Sequence, residues 1–406
     1  MSRRTTTIAL FAALWFCTVA DGAEELVVER GKPGFVLENG SARVFVTQTG
    51  GHMTASFAAG KDQPRIEPYH VSPWQDEQGK VEPPILGVLR GDFFCMPFGG
   101  NAEAFNGEQH PPHGETANSA WSLVAKDQQS GKTRLVLTVE TKVRPGRVTK
   151  ELTLIDGEPA IYSTHTVEGF VGPAPLGHHA TLALPTTEGA LRVSTSKFQH
   201  GLTNPTQFSD PAKREYQSLA INAKFDDLAK VPQIFKDAPD ADCTKFPARQ
   251  GYADLLCVLN QSSAPGEPAW VAAVNTEAKY VWFALKDPAV LPSLLFWVEN
   301  RGRHGAPWSG RNNCLGLEDV CTFFADGVAP SARENAFSKL GVPTTIQLRA
   351  DKPTEIRYIQ GAAPAPEGFG KVERVEFTPG SVKFTDAAGH EIKVPVRHDF
   401  LKSGRL

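Results

Sequence analysis

Arg134-Leu135-Val136-Leu137-Thr138-Val139, followed by Pro145-Gly146 and then Val148 to Leu154, is the stretch that decides the fold. Apolar and β-branched residues alternate with polar ones on both sides of a Pro-Gly turn, which predicts a hairpin of two antiparallel strands. Gly157-Glu158-Pro159 turns the chain again into a third extended run, Ala160 to Val167, so the three form a meander.

The same texture continues in both directions. Upstream, Ala42 to Thr47 alternates, stops at Gly50-Gly51 and resumes over Met53 to Phe57. Residues 60–85 read as a long polar loop holding Tyr69, His70 and Trp74, and Ile85 to Leu89 reads as a strand leading to the glycine-rich Gly91 to Gly100. Downstream, extended segments are predicted at Gly177 to Leu184, Ala269 to Val274, Tyr280 to Lys286, Leu294 to Val298, Cys314 to Phe324, Thr344 to Leu348 and Glu355 to Ile359. Residues 200–255, with Pro205, Pro211, Pro232, Pro239 and Pro247, read as an excursion over one sheet face with one short helix near Lys224 to Lys230. Helical periodicity is scarce. The fold class is therefore all-β: a large antiparallel sandwich with many strands and long loops.

Composition narrows the partners. The 406 residues are 41% hydrophobic and 21% charged with a net charge of −3, so no electrostatic grip on nucleic acid or an anionic membrane is expected. Arg3 and Arg4, the apolar run Ile8 to Ala20 and the small residues to Ala23 have the layout of a secretory signal, residues 1–23. The run is short for a bilayer span, and Phe16 before Cys17 argues against a lipoprotein. The mature chain is expected to be exported, periplasmic or secreted, with no membrane contact after cleavage. It divides into a sandwich over 24–365 and a C-terminal hairpin extension over 366–406 packed on the same domain. Cys95, Cys243, Cys257, Cys314 and Cys321 match no zinc template, and one or two disulfides are expected among them.

Three polar clusters interrupt the strand pattern. The first is His110-Pro111-Pro112-His113-Gly114, where the prolines forbid a helix and hold His113 on a rigid loop just before the glycine turn. The second is His178-His179 ahead of Ala180 to Leu184; alternation lets only one of the two imidazoles enter a given face. The third is Leu315-Gly316-Leu317-Glu318-Asp319, a carboxylate inside an apolar strand, which is costly unless it faces a polar cleft or a partner such as Arg301, Arg303 or Arg311. Two imidazoles and a carboxylate suit acid/base chemistry on a neutral polyol, with tryptophans such as Trp121, Trp297 and Trp308 as faces for a sugar ring. A His110–His113 metal pair is disfavoured because the prolines break helical spacing, and neither metal nor cofactor is expected.

His113-Gly114 with Trp121 eight residues on, then His179 in Gly-His-His-Ala-Thr-Leu, then Glu318 in Leu-Gly-Leu-Glu-Asp, resembles the ordered motif set of aldose 1-epimerase-like proteins, the galactose mutarotase superfamily. The resemblance spans roughly residues 30–360. It implies a β-supersandwich that interconverts sugar anomers through the open-chain aldehyde. It assigns Glu318 as the base at the anomeric hydroxyl, His179 as the acid at the ring oxygen and His113 as the group that stabilises that oxygen. Trp121, His178, Arg303, His304, Trp308 and Arg311 are the candidate sugar contacts, and the partner is a monosaccharide or a glycan end. The sequence departs from the family pattern at Ala117, where many relatives carry an arginine, in the segment Phe98-Gly99-Gly100-Asn101, which lacks an arginine that often follows the corresponding loop, and at Thr181 and Leu182, where aromatics are common. Those departures bear on the substrate. A carbohydrate-binding protein that keeps the cleft without turnover is the alternative reading, and a glycan lyase or hydrolase on a related sandwich is a third.

Overall fold

The computed structural model describes residues 26–77, 79, 81–261 and 264–406. The predicted leader, residues 1–23, lies outside them. Two large antiparallel sheets share one core. The first has eight strands, running in space from Lys224–Phe225 through Phe198–Thr203, Tyr252–Asn260, Ser293–Asn300 and Asn313–Cys321 to Leu176–His178 and Phe94–Cys95, with Ala180–Ala183 also on Asn313–Cys321. The second has nine, and the meander read from the sequence forms one end of it: Lys132–Thr141 pairs with Gly146–Ile155, which pairs with Ala160–Glu168.

Alternation sorts each strand's side chains between layers. Leu256, Val258, Leu294, Phe296, Leu315 and Leu317 of the eight-stranded sheet meet Leu135, Leu137, Val148 and Leu152 of the nine-stranded sheet in the main core. A four-stranded sheet spanning Val27 to Phe57 adds Val44, Val46 and Met53 to it. The outer face of the eight-stranded sheet (Leu255, Leu295, Trp297, Cys314) is roofed by loop residues Trp74, Leu89, Phe93 and Phe98. On the far side, Trp270, Phe283, Leu285 and Ile359 are covered by Val382, Phe384, Val394 and Phe400. The C-terminal segment is thus a three-stranded sheet, Val372–Thr378, Ser381–Asp386 and Glu391–Pro395, followed by the short helix Phe400–Ser403, where the sequence pattern suggested a hairpin. No helix among the described residues is long and apolar enough to cross a membrane.

Three local expectations are corrected. Ile85 to Leu89 is not a strand: Pro83 and Pro84 remove two amide donors, and the chain closes into the 3-10 turn Pro84–Gly87. Lys224 to Lys230 is not helical. Lys224–Phe225 pairs with the strand Phe198–Thr203, and the Asp227 carboxylate then accepts from the Ala229 amide at 2.9 Å to form a turn. Cys95, Cys243, Cys257, Cys314 and Cys321 form no disulfides; each is free and buried. Burial pushes the Cys243, Cys257 and Cys321 thiols up to about 12, so none is a reactive thiolate at neutral pH. A thiol reagent such as dithionitrobenzoate should therefore modify none of these five cysteines in the native protein and all five in guanidinium, and rapid native labelling would contradict this packing.

Candidate active site

The site begins as a matter of strand register. Gly177 pairs with Val320 and Ala180 with Leu317, and the same register carried across the intervening gap sets His178 opposite Asp319 and His179 opposite Glu318. Side chains directly across an antiparallel pair share a face, and successive pairs take opposite faces. His179 and Glu318 therefore point outward together, with Nε2 3.1 Å from Oε1. The ladder opens at this point because the His179 amide donates to the Phe93 carbonyl at 3.0 Å instead.

The other pair goes inward. His178 Nδ1 lies 2.8 Å from an Asp92 carboxylate oxygen that also accepts from Gln360 at 2.7 Å. Asp319 sits 2.5 Å from the Lys286 ammonium and accepts from the Tyr358 hydroxyl at 2.7 Å. His178 is thus a core residue and not a substrate contact.

His113 arrives from the proline loop. Its amide donates to the Gly99 carbonyl at 2.7 Å, and the Asn118 amide group bonds the Pro112 and Gly114 carbonyls at 2.8 and 2.7 Å. The backbone turns one residue earlier than expected, with His113 itself at φ +58° and Gly114 at +77°. Gly114 is obligatory here, because a Cβ would lie 1.9 Å from the Met96 carbonyl oxygen. The His113 ring stands edge-on to that of His179, 5.0 Å between centroids, while Phe93 stacks on His179 at 4.5 Å. Holding His113 in the left-handed region costs on the order of 1–2 kcal/mol, which the loop's hydrogen bonds offset.

Burial sets the protonation states. Desolvation pushes His113 down to about 4 and holds His179 well below the ordinary imidazole range, with His113 nearby acting in the same direction. Desolvation alone holds the Glu318 carboxyl well above the usual carboxylate range. Both directions favour uncharged imidazoles and a protonated Glu318. An Nδ1–H on His179 donating to Thr181 Oγ1, 3.2 Å away, leaves Nε2 as the basic nitrogen facing the carboxyl.

These three side chains line a cavity of about 340 Å³ whose walls include Leu89, Leu255, Trp297, Arg303 and Trp308. Of the predicted contacts, Arg303 and Trp308 are in this wall. Arg303 is not paired with Glu318; it lies 3.4 Å from Glu299 and against the rings of Phe208, Trp297 and Trp308. Trp121 is a correction: it is 1% exposed, inside the core, with its indole N–H on the Thr116 carbonyl at 2.9 Å and the Lys150 ammonium over its ring. His304 and Arg311 also stand outside the lining; Arg311 is bound to Glu77 and the Pro307 carbonyl, and His304 packs near Gly310. His110 turns away to Glu108 at 3.0 Å and does not accompany His113.

Sequence reasoning missed Phe93, Thr181, Glu299 and Gly316. Gly316 carried a signal: a glycine two residues before Glu318 lies on the same strand face. A Cβ there would sit 2.6 Å from Glu318 Oε1 and 3.0 Å from Trp297 Cβ, so its absence makes room for the carboxyl.

No protein-family model and no curated protein matches the sequence. Solved structures do match in fold. An aldose 1-epimerase candidate from Klebsiella pneumoniae superposes with a TM-score of 0.58 at 12% identity, over 83% of this chain and 80% of that one. A second such candidate, from Escherichia coli K12, gives 0.53 at 14% identity, over 81% and 98%. A galactose mutarotase-like protein from Clostridium acetobutylicum gives 0.51 at 10%, over 83% and 97%. The fold is the galactose mutarotase-like β-sandwich, as the resemblance implied. An NMR titration of the imidazole resonances should place the His113 midpoint near pH 4, and a midpoint at the ordinary value of about 6.5 would contradict its desolvation.

Proposed function

We propose that the protein is an exported carbohydrate-active isomerase that interconverts the anomers of a cyclic hemiacetal sugar in this cavity. The observation that carries the reading is the outward pair His179–Glu318, 3.1 Å apart, with His113 beside it. Anomerisation needs one proton removed from the anomeric hydroxyl and one delivered to the ring oxygen of the same carbon, so two adjoining proton-transfer groups match the two oxygens.

The protonation states assign the roles in the reverse sense to that implied by the family resemblance. Nε2 of His179 takes the proton of the anomeric hydroxyl while the Glu318 carboxyl gives its own to the ring oxygen. The bond from the anomeric carbon to the ring oxygen breaks and the carbonyl forms. The aldehyde rotates, and the reverse transfers close the ring on the other face. The imidazolium–carboxylate pair formed in the open-chain state is stabilised by its own contact in a site with little water. The neutral His113 imidazole hydrogen-bonds the ring oxygen as its charge changes.

Polarimetric decay of freshly dissolved hemiacetals, native sugars and their methyl ethers alike, tests the reading. Glu318→Gln should slow the catalysed decay by about 10²–10⁴-fold with folding intact, since the amide neither gives nor takes the proton. Sugar-dependent thermal stabilisation without faster decay would instead favour the binding-protein alternative. The pH profile separates the two role assignments. A neutral base and a protonated acid persist together, so the rate should be flat through the ordinary histidine range, whereas an imidazolium acid would give a fall through it. Export rests on the N-terminal residue pattern, and N-terminal sequencing of the mature chain, starting after Gly22 or Ala23, checks it.

A further inference from the structure

The cavity lining also bears on which hemiacetal enters, an inference that rests on the reading above. Its polar side-chain groups are those of His113, His179, Glu318 and Arg303, with the buried indole N–H of Trp297, a donor with no partner among the described residues, as a fifth. The first three form one cluster and are occupied by the hemiacetal edge. The fourth is engaged by Glu299 and enclosed by three aromatic rings. Among the described residues no Asn, Gln, Asp, Ser or Thr lines the cavity; the remainder is Ile85, Leu86, Leu89, Phe93, Leu255 and similar side chains.

Three backbone carbonyls of lining residues already accept bonds within the fold. The Leu86 carbonyl accepts from Trp74 at 2.6 Å and Gln75 at 3.2 Å. The Ala325 carbonyl accepts from the Gly100 amide at 2.7 Å, and the Pro112 carbonyl from Asn118 at 2.8 Å. An aldohexopyranose carries four hydroxyls besides the anomeric one. Each that is taken out of water without a partner weakens binding by roughly tenfold or more. The same walls reward methyl and methylene groups.

We propose that the cavity is built for a hemiacetal with an apolar far side, a deoxygenated or O-alkylated pyranose, and selects against a fully hydroxylated free sugar. The hemiacetal edge meets His113, His179 and Glu318, and the substituted edge lies against Ile85, Leu89 and Leu255.

The matched probes are D-glucose and 2,3,4,6-tetra-O-methyl-D-glucose, which share the ring and the anomeric centre. Both are followed by polarimetry and by thermal stabilisation of the mature protein. The expected result is kcat/KM at least roughly 100-fold higher for the methyl ether. Equal rates, or a preference for glucose, overturn the inference and leave the isomerase reading standing. Stabilisation by the methyl ether alone with no accelerated decay supports the apolar cavity and overturns the isomerase reading. Neither turnover nor stabilisation with either probe overturns both.

Discussion

The register between the strand segment around His178-His179 and the strand Asn313–Cys321 is the constraint on which the rest depends. It sets two imidazoles against two carboxyls, and the pleat sends one pair to each side of the sheet. Outward, His179 and Glu318 meet under aromatic cover. Inward, the costs of burial are met by additional partners: Gln360 for Asp92, and Lys286 and Tyr358 for Asp319. Removing one member of a buried pair such as Lys286–Asp319 typically costs about 3–5 kcal/mol, because the other charge is left stranded. A slip of one residue in the His178-His179 segment would turn His178 outward and His179 into the sandwich core, separating His179 from Glu318.

Much of this was legible in the residues. The Pro145-Gly146 hairpin and the meander after it followed from alternation alone, and the chain's all-β architecture from scarce helical periodicity. The split of His178 and His179 followed from the same period of two. What failed did so for identifiable reasons. Ile85 to Leu89 has the composition of a strand, but its apolar groups serve the roof of the cavity from a turn. Trp121 was read as a sugar platform from its distance to His113, yet nothing in its chemistry told a platform from a core residue, and it is the latter. Arg303, His304 and Arg311 were grouped by proximity in sequence; loop geometry turns Arg303 into the cavity and Arg311 to Glu77. Disulfides were expected from the export signal, whereas the cysteines behave as small apolar residues distributed through the strands and their flanking loops.

The cavity combines proton chemistry with dryness. Phe93, Trp297 and neighbouring aliphatics shut the Glu318–His179 pair away from water. That exclusion raises the carboxyl's affinity for its proton and lowers the imidazole's, so burial alone sets which of the two holds it.

The three-stranded C-terminal sheet has a consequence for how the molecule is made. Trp270, Phe283, Leu285 and Ile359 acquire their cover only from residues beyond 370. The Leu406 carbonyl is itself gripped by Lys132, and Arg357 holds the Lys402 carbonyl at 3.0 Å. A ribosome releases the chain from its N-terminus, so this hydrophobic face stays bare until the residues beyond 370 emerge. Packing of this face therefore waits on the segment 372–401, which favours chaperone contact until that segment is available.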